Sequence, residues 1–434
     1  MKAEPSGMVE VRCPGVLRSR RRWMAAMAAA SMVAVSACGS STSPKAATTP
    51  TTSSSTGSSS ATPTGTPYTI HAILALTGSA SFLGTDEKAA LMALQNQVNS
   101  TGGIDGHPLK FDVSDNQTTA SVSVSLASPL ISQVPVLIVG SITTVDRPVD
   151  ALVTSTGPVI YDLSPGDHPT RGSYVYSSGN STTNQTQAFI NFAKTKGWTH
   201  IGALTSTDAS GQDGWANIQK AVAGSNGAVT VTDHETFEPT AVSVTTQLTK
   251  IKATNPQALI VWTTGTPFST VAKGMQQLDM ESLPTMTTNG NLSYKELTGL
   301  ANALPSQLYF PSSQFQFSPQ QLSGDAATVV KNFQSAMEAT GEAVPDEGNV
   351  LAWDPALLFV SALKKLGVNA TAAQIHQYLA SLTDFAGAGG TYNFTDPSVP
   401  DNRGLSIDSV FITQWNASAK NWTVASGAAG NPSS

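Results

Sequence analysis

From Tyr68 onward the chain alternates two hydrophobic periods, and this alternation limits the fold more than any other feature. Short apolar runs at Tyr68–Leu76 (YTIHAILAL), Leu109–Val113, Val134–Val139 and Pro158–Asp162 read as buried strands. Between the first two, Ala90, Leu91, Leu94 and Val98 recur at helical spacing in a segment that Gly102 and Gly103 stop, and a further helix runs through Leu130 and Ile131. A second series starts near Thr183. Its helices, Ala188–Lys196, Gly214–Val222, Val242–Ile251 and Thr270–Leu278, alternate with strands His200–Leu204, Ala228–Asp233, Ala258–Trp262 and Pro284–Met286. Strands separated by helices of this length form βαβ units and hence parallel sheets. Two such series predict an α/β protein with two doubly wound lobes. The C-terminal part differs: helices over Ala326–Met337, Leu351–Leu366 and Ala372–Leu382 lead to strands at Tyr392–Phe394 and Ser406–Trp415 with a turn between them.

What precedes Tyr68 is of another kind. Residues 1–37 hold Lys2 and five arginines against Glu4 and Glu10, although the whole chain carries a formal charge of −6. The basic start runs into MAAMAAASMVAV (Met24–Val35). A dozen apolar residues are too few to span a bilayer, which takes roughly 20. With the small residues Ser36 and Ala37 they make a secretory signal peptide over 1–37. The basic run Ser19–Trp23 belongs to its n-region. From Gly39 to Thr66 nearly every residue is Ser, Thr, Ala, Pro or Gly, so 38–66 reads as a disordered tether without apolar groups to bury.

The body left after the basic leader is strongly acidic, a poor electrostatic match for nucleic acid. A chemical centre is equally hard to find. There is no G-x-S-x-G elbow, no H-E-x-x-H and no Walker A run, and the six histidines are scattered without metal-ligand spacing. Gly387-Ala388-Gly389-Gly390 follows a helical segment and reads as a turn before Tyr392 rather than a dinucleotide loop. No metal and no cofactor is expected, and the missing motifs weigh against an enzyme.

Five segments, in order, carry a resemblance. LALTGSASFLG (Leu74–Gly84), NSTGGIDGHPLKFDVSD (Asn99–Asp115), VPVLIVGSITT (Val134–Thr144), WDPALLFVSALKKLG (Trp353–Gly367) and GGTYNFTDPSVPDNRG (Gly389–Gly404) resemble type I periplasmic binding proteins of the branched-chain amino acid class. In addition, Val35-Ser36-Ala37-Cys38 resembles the lipobox of bacterial lipoproteins, whose cysteine takes a diacylglyceryl group after cleavage just before it. Lipidation is therefore expected at Cys38. Cys13 would leave with the signal, and no cysteine would remain for a disulfide.

The resemblance implies a clamshell of two α/β lobes joined by three crossovers, near Ser178–Ser181, Pro311 and Leu405–Ile407. The expected N-lobe comprises 67–178 and 312–406, and the C-lobe 179–311 and 407–427, with a disordered tail over 428–434. The ligand would sit between the lobes, in a cleft that closes by hinge motion.

The same resemblance implies site residues. Thr144 stands where relatives bind the ligand carboxylate, with Ser141 and Thr143 as neighbours; a helix N-cap is the alternative for either threonine. Pro165 falls at the position of a ligand-binding carbonyl, beside Gly166, and Asp167 at that of a threonine. Ser210 and Gly265 replace two tyrosines, which implies a roomier cleft. Asn289 replaces the acid that pairs with the ligand ammonium, a role then open to Asp167. Phe82 and Leu83 are expected to supply an apolar wall, and Trp262 to lie in the core. The function implied is an extracytoplasmic, lipid-anchored, monomeric solute-binding component that hands an amino acid, an amide or a related small molecule to an ABC permease. A sensor of the same fold and a secreted α/β enzyme stand as alternatives.

Overall fold

A computed structural model describes residues 62–433 except 343. The signal peptide, Cys38 and most of the tether lie outside the described residues. The described end of the tether is packed: Gly65 N donates to Gly106 O at 2.9 Å and the Thr66 carbonyl meets the His107 ring at 2.7 Å. Backbone pairing to the Gly106–His107 turn thus starts the folded part a little before residue 67.

The first sheet is entirely parallel. It is built from β1 (Tyr68–Leu74), β2 (Leu109–Asp115), β3 (Val136–Val139), β4 (Val159–Asp162) and β5 (Val175–Ser177) in the order β2-β1-β3-β4-β5. The crossovers are helices α1 (Ser81–Ser100), α2 (Ala120–Ala127) and α3 (Thr143–Asp150). β3, VLIV, is buried at every position because helices cover both faces: Leu137 and Val139 pack with Ala127 and Val149 on one side, Val136 and Ile138 with Leu91 and Leu94 on the other. Burying each such side chain contributes about 1.5–3 kcal/mol.

The second sheet repeats this winding. After α4 (Thr182–Thr195) come β6 (His200–Ser206), α5 (Ala209–Gly224), β7 (Thr230–Phe237), α6 (Thr245–Ala253), β8 (Ala258–Trp262), α7 (Thr266–Gln277), β9 (Thr285–Thr287), α8 (Tyr294–Gly299) and β10 (Leu308–Ser312). The sheet order is β14-β13-β10-β9-β8-β6-β7. Its parallel part, β7-β6-β8-β9-β10, has the topology of the first sheet. Three more helices, α9 (Gly324–Ala339), α10 (Glu347–Leu366) and α11 (Ala372–Ala380), return to the first lobe, where Asn349 Nδ2 donates to Asp86 O of α1 at 2.7 Å. β11 (Phe385–Ala386) and β12 (Thr391–Tyr392) form a small hairpin; β13 (Phe411–Asn416) and β14 (Asn421–Val424) extend the second sheet antiparallel to β10. The chain thus passes between sheets three times, after Ser177, after Ser312 and after Leu405. The fold is the expected pair of doubly wound lobes.

Several local expectations differ. The helix through Leu130 and Ile131 ends at Ala127, because Pro129 has no N–H to continue it and its ring crowds the preceding turn. The strands around Tyr392 and Trp415 do not pair with each other but belong to two separate hairpins. Ser406 caps a short 3-10 turn over Ile407–Ser409, which delays the strand to Phe411, and its partner is Asn421–Val424, with Trp415 opposite Trp422. The tail is also placed: Asn191 Nδ2 of α4 donates to Ala429 O at 2.9 Å, and Ala429 N donates to Val410 O at 2.8 Å, so residues 428–433 follow the second lobe.

Candidate functional site

In a parallel sheet the strand carboxyl ends and the following helix N-termini lie at one edge, and ligands bind there at the switch of strand order. In both sheets this switch falls at the second parallel strand, between β1 and β3 and between β6 and β8. The two edges face each other across a narrow cavity of about 30 Å³, room for about one water with the lobes this close. From the first lobe it is lined by Leu83, by Ser141, Ile142 and Thr143 after β3, and by Ser164, Pro165 and Gly166 after β4. The second lobe contributes Thr182 and Gln185 of α4, Ser210 of α5, Trp262 and Thr264 at the end of β8, and Thr288, Asn289 and Gly290 after β9; Leu351 of α10 completes the wall.

Seven of the residues expected at the site are therefore together: Leu83, Ser141, Thr143, Pro165, Gly166, Ser210 and Asn289. The other four stand behind or beside the cavity. Thr144 is one position beyond Thr143 on α3, and its Oγ1 is buried without a partner. Asp167 points away: it is 1% exposed and accepts from Arg147 Nε at 3.2 Å, while its backbone oxygen accepts from Arg403. Gly265 and Phe82 meet each other across the lobes. A Cβ on Gly265 would stand 2.6 Å from Ser79 O and 3.1 Å from the Phe82 ring, and its φ is +85°. A tyrosine could not occupy this backbone, so the missing side chain serves close approach of the lobes rather than a roomier cleft.

The lobes touch on both sides of the cavity. Thr266 N and Oγ1 donate to Ser79 O at 3.4 and 3.3 Å, His168 Nε2 lies 3.1 Å from Asp213, and Lys295 Nζ lies 2.9 Å from Asp86. Within the cavity hydroxyls dominate. Thr143 Oγ1 and Ser164 Oγ share a hydrogen bond of 2.6 Å, and Ser164 Oγ accepts from Gly166 N at 3.3 Å. Ser141 is committed inward, donating to the buried Glu87. The Pro165 carbonyl accepts from Thr182 N at 3.3 Å.

A set of buried acids backs the first lobe. Burial pushes the Glu87 carboxyl up to about 8 and that of Asp167 to about 7. Asp146 and Asp162 are driven well above the usual range by burial and then by neighbouring carboxylates. Among the described residues no group of three or more His, Cys, Asp or Glu side chains could hold a metal ion.

Another buried acid, Glu347, comes from the start of α10. Its Oε1 accepts from Asn289 Nδ2 at 3.2 Å. Sequence reasoning missed it, since a glutamate one residue into a helix carries the ordinary signal of a charge on the first turn. Gln185, Thr182 and Leu351 were equally unmarked. Thr264 and Thr288 had a usable signal, adjacency to Gly265 and Asn289. Trp262 is both core and cavity wall: it is 3% exposed and packs edge-on against Phe189.

Residues 67–421 match the family model described as periplasmic binding protein. The chain belongs to the periplasmic binding protein family. Periplasmic binding proteins are a binding fold that works outside the cytoplasm on small-molecule ligands. Among solved structures, an extracellular ligand-binding receptor from Rhodopseudomonas palustris HaA2 is 20% identical, with a TM-score of 0.71 over 83% of this chain and 100% of its own. The branched-chain amino acid transporter substrate-binding protein from Streptococcus pneumoniae, solved with isoleucine, is 19% identical, with a TM-score of 0.70 over 83% of this chain and 99% of its own. A fatty acid ABC transporter substrate-binding protein from Thermomonospora curvata is 17% identical, with a TM-score of 0.67 over 84% and 92%. No protein of curated function matches the sequence. Among the described residues no helix of this periplasmic binding protein is long and apolar enough to cross a membrane.

Proposed function

We propose that the protein captures a small polar solute, an amino acid or a close relative, and delivers it to the permease of an ABC importer, held at the outer face of the cell membrane by lipid on Cys38. The observation that carries this reading is the cavity between the two strand-end edges. Its hydroxyls, Thr143 and Ser164 in the first lobe and Ser210, Thr264 and Thr288 in the second, suit a ligand that is bound reversibly. The helices α3, α4 and α5 begin at it, and the partial positive charge of their N-termini favours a carboxylate. Cross-lobe contacts around the rim fit capture by closure, after which the closed form is what a permease would recognise. The proposed lobe limits are 67–178 with 312–406, and 179–311 with 407–427, close to the changes of sheet after Ser177, Ser312 and Leu405. The protein works as a monomer and performs no chemistry on its ligand.

The test is thermal unfolding of the purified chain with amino acids, amides, polyols and aromatic acids. A captured solute at 100 times its Kd stabilises by about 2.7 kcal/mol through mass action. If no compound of this range raises the melting temperature, solute capture is overturned. Mass spectrometry of the mature protein tests the anchor separately: a diacylglyceryl group on an N-terminal Cys38 is expected, and an unmodified N-terminus upstream of it would rule the anchor out.

A further inference from the structure

We propose that Glu347 makes the cleft selective for solutes bearing an amine, with Asn289 standing between the carboxylate and the solute. This inference rests on the solute-capture reading. Glu347 belongs to α10, which packs on the first lobe, and Asn289 to the loop after β9 in the second. Their 3.2 Å hydrogen bond therefore forms across the lobes, at the cavity wall. Leu351, one turn further along the same face of α10, lines the cavity. The Asn289 amide gives its Nδ2 to Glu347, which leaves Oδ1, an acceptor, to meet a donor on the solute.

Glu347 has an unsatisfied need that a cation would meet. It is 1% exposed, and its Oε2 is buried with no partner. An unpaired carboxylate in such a place is costly. Burial pushes its carboxyl up to about 8, with Asp354 adding to the rise, against the lowering effects of the Asn289 amide and the nearby Ser312 hydroxyl. An ammonium in the cavity would hold it ionised. The helix favours the same outcome, because Glu347 is in the first turn of α10, where a negative charge is stabilised.

The other acids near the cavity are already engaged, Asp213 with His168 and Asp86 with Lys295 across the lobes, and the rest within one lobe. Glu87 is held by Ser141, Asp146 accepts from Ser164 N at 3.1 Å, Asp167 pairs with Arg147, and Asp208 caps α5 through Gly211 N at 3.0 Å. Glu347 contacts a cavity-lining residue of the opposite lobe. A positioning role of this kind discriminates by charge, so it is visible in the ratio between matched solutes.

The experiment compares the full-length chain with Glu347→Gln and with the double variant Glu347→Gln/Asn289→Asp by calorimetric titration. The probes are matched pairs that differ only in the amine: L-isoleucine and L-leucine against their 2-hydroxy acid counterparts, and 4-aminobutanoate against 4-hydroxybutanoate. The parent is expected to prefer the amine member by at least tenfold. Glu347→Gln should remove most of that preference, and the double variant should restore it by placing the charge at position 289. A purely structural role for Glu347 would lower binding of both members alike and would not be rescued. Retention of the parental amine preference in Glu347→Gln overturns the inference. So does a parent that binds hydroxy acids, polyols or fatty acids and no amine, and in that case solute capture still stands. A parent that binds nothing across this set and the broader range counts against capture itself.

Discussion

His168 Nε2 lies 3.1 Å from Asp213 Oδ1, joining the loop after β4 in the first lobe to α5 in the second. The other ring nitrogen lies 3.6 Å from Asp401. The hydrogen bonds to Asp213 and Asp401 raise the imidazolium to about 9, against the opposing effect of burial. A raised pKa means that the closed, folded form binds the proton more tightly. The stabilisation is fully present below the ordinary value of about 6.5 and is lost as pH rises through about 9. A histidine NMR titration should show His168 titrating near 9 in the parent and lower in Asp213→Asn. Solute affinity should fall between pH 7.5 and 9.5 in the parent, and less in the variant.

The buried acids give the whole protein the same slope. Glu87 and Glu347 stand at about 8, Asp167 at about 7 and Asp354 at about 6, all raised chiefly by burial. Each therefore stabilises the fold below its unfolded value near 4 and loses that contribution as pH rises through its folded value. Denaturant midpoints should be higher at pH 5.5 than at pH 8.5, and Asp167→Asn should flatten the part of the curve between about 4 and 7. A midpoint that climbs with pH over this range would contradict the assignment.

Gly265 permits the lobes to meet. With φ at +85° and a would-be Cβ 2.6 Å from Ser79 O, Gly265→Ala is strained by itself and pushes against the opposite lobe. Left-handed backbone at a residue with a Cβ costs about 1–3 kcal/mol. The expected result is a loss of solute affinity of about tenfold, for a closure penalty near 1.4 kcal/mol. Small-angle scattering of the saturated variant should show a larger radius of gyration than the saturated parent.

Arg403 ties two crossovers together. Its guanidinium is 0% exposed; Nη1 donates to Ser178 O at 2.6 Å, and Nη2 donates to Asp167 O at 2.5 Å, while Nε lies 3.4 Å from Asp401. Arg403→Met leaves these carbonyls without their donor and the Asp401 carboxylate with His168 alone. Losing one partner of a buried charged network costs about 3–5 kcal/mol. Chemical denaturation should show a destabilisation of that size, and Arg403→Lys should recover only part of it, because a single ammonium cannot reach the same fork of acceptors.

The sequence by itself determined the winding. Apolar runs such as VLIV in β3 and ALIVW in β8 are buried at every position, and only a parallel sheet covered on both faces accepts them; this much is local periodicity. It also carried the family resemblance and, through it, seven of the residues that line the cavity. Hairpin pairing at the C-terminus was not legible, since whether Phe411–Asn416 meets Tyr392 or Trp422 depends on where a 3-10 turn is capped.

Tertiary structure decided the electrostatics of the site. Asp167 looked like the acid facing the ligand, yet folding turns it to Arg147 and brings Glu347, 58 positions from Asn289 in sequence, to the wall instead. Gly265 likewise looked like lost bulk and is a point of contact. A side chain's type is written in the sequence. Which charge ends up desolvated, and against whom, is set by the closure of two sheets that are remote along the chain.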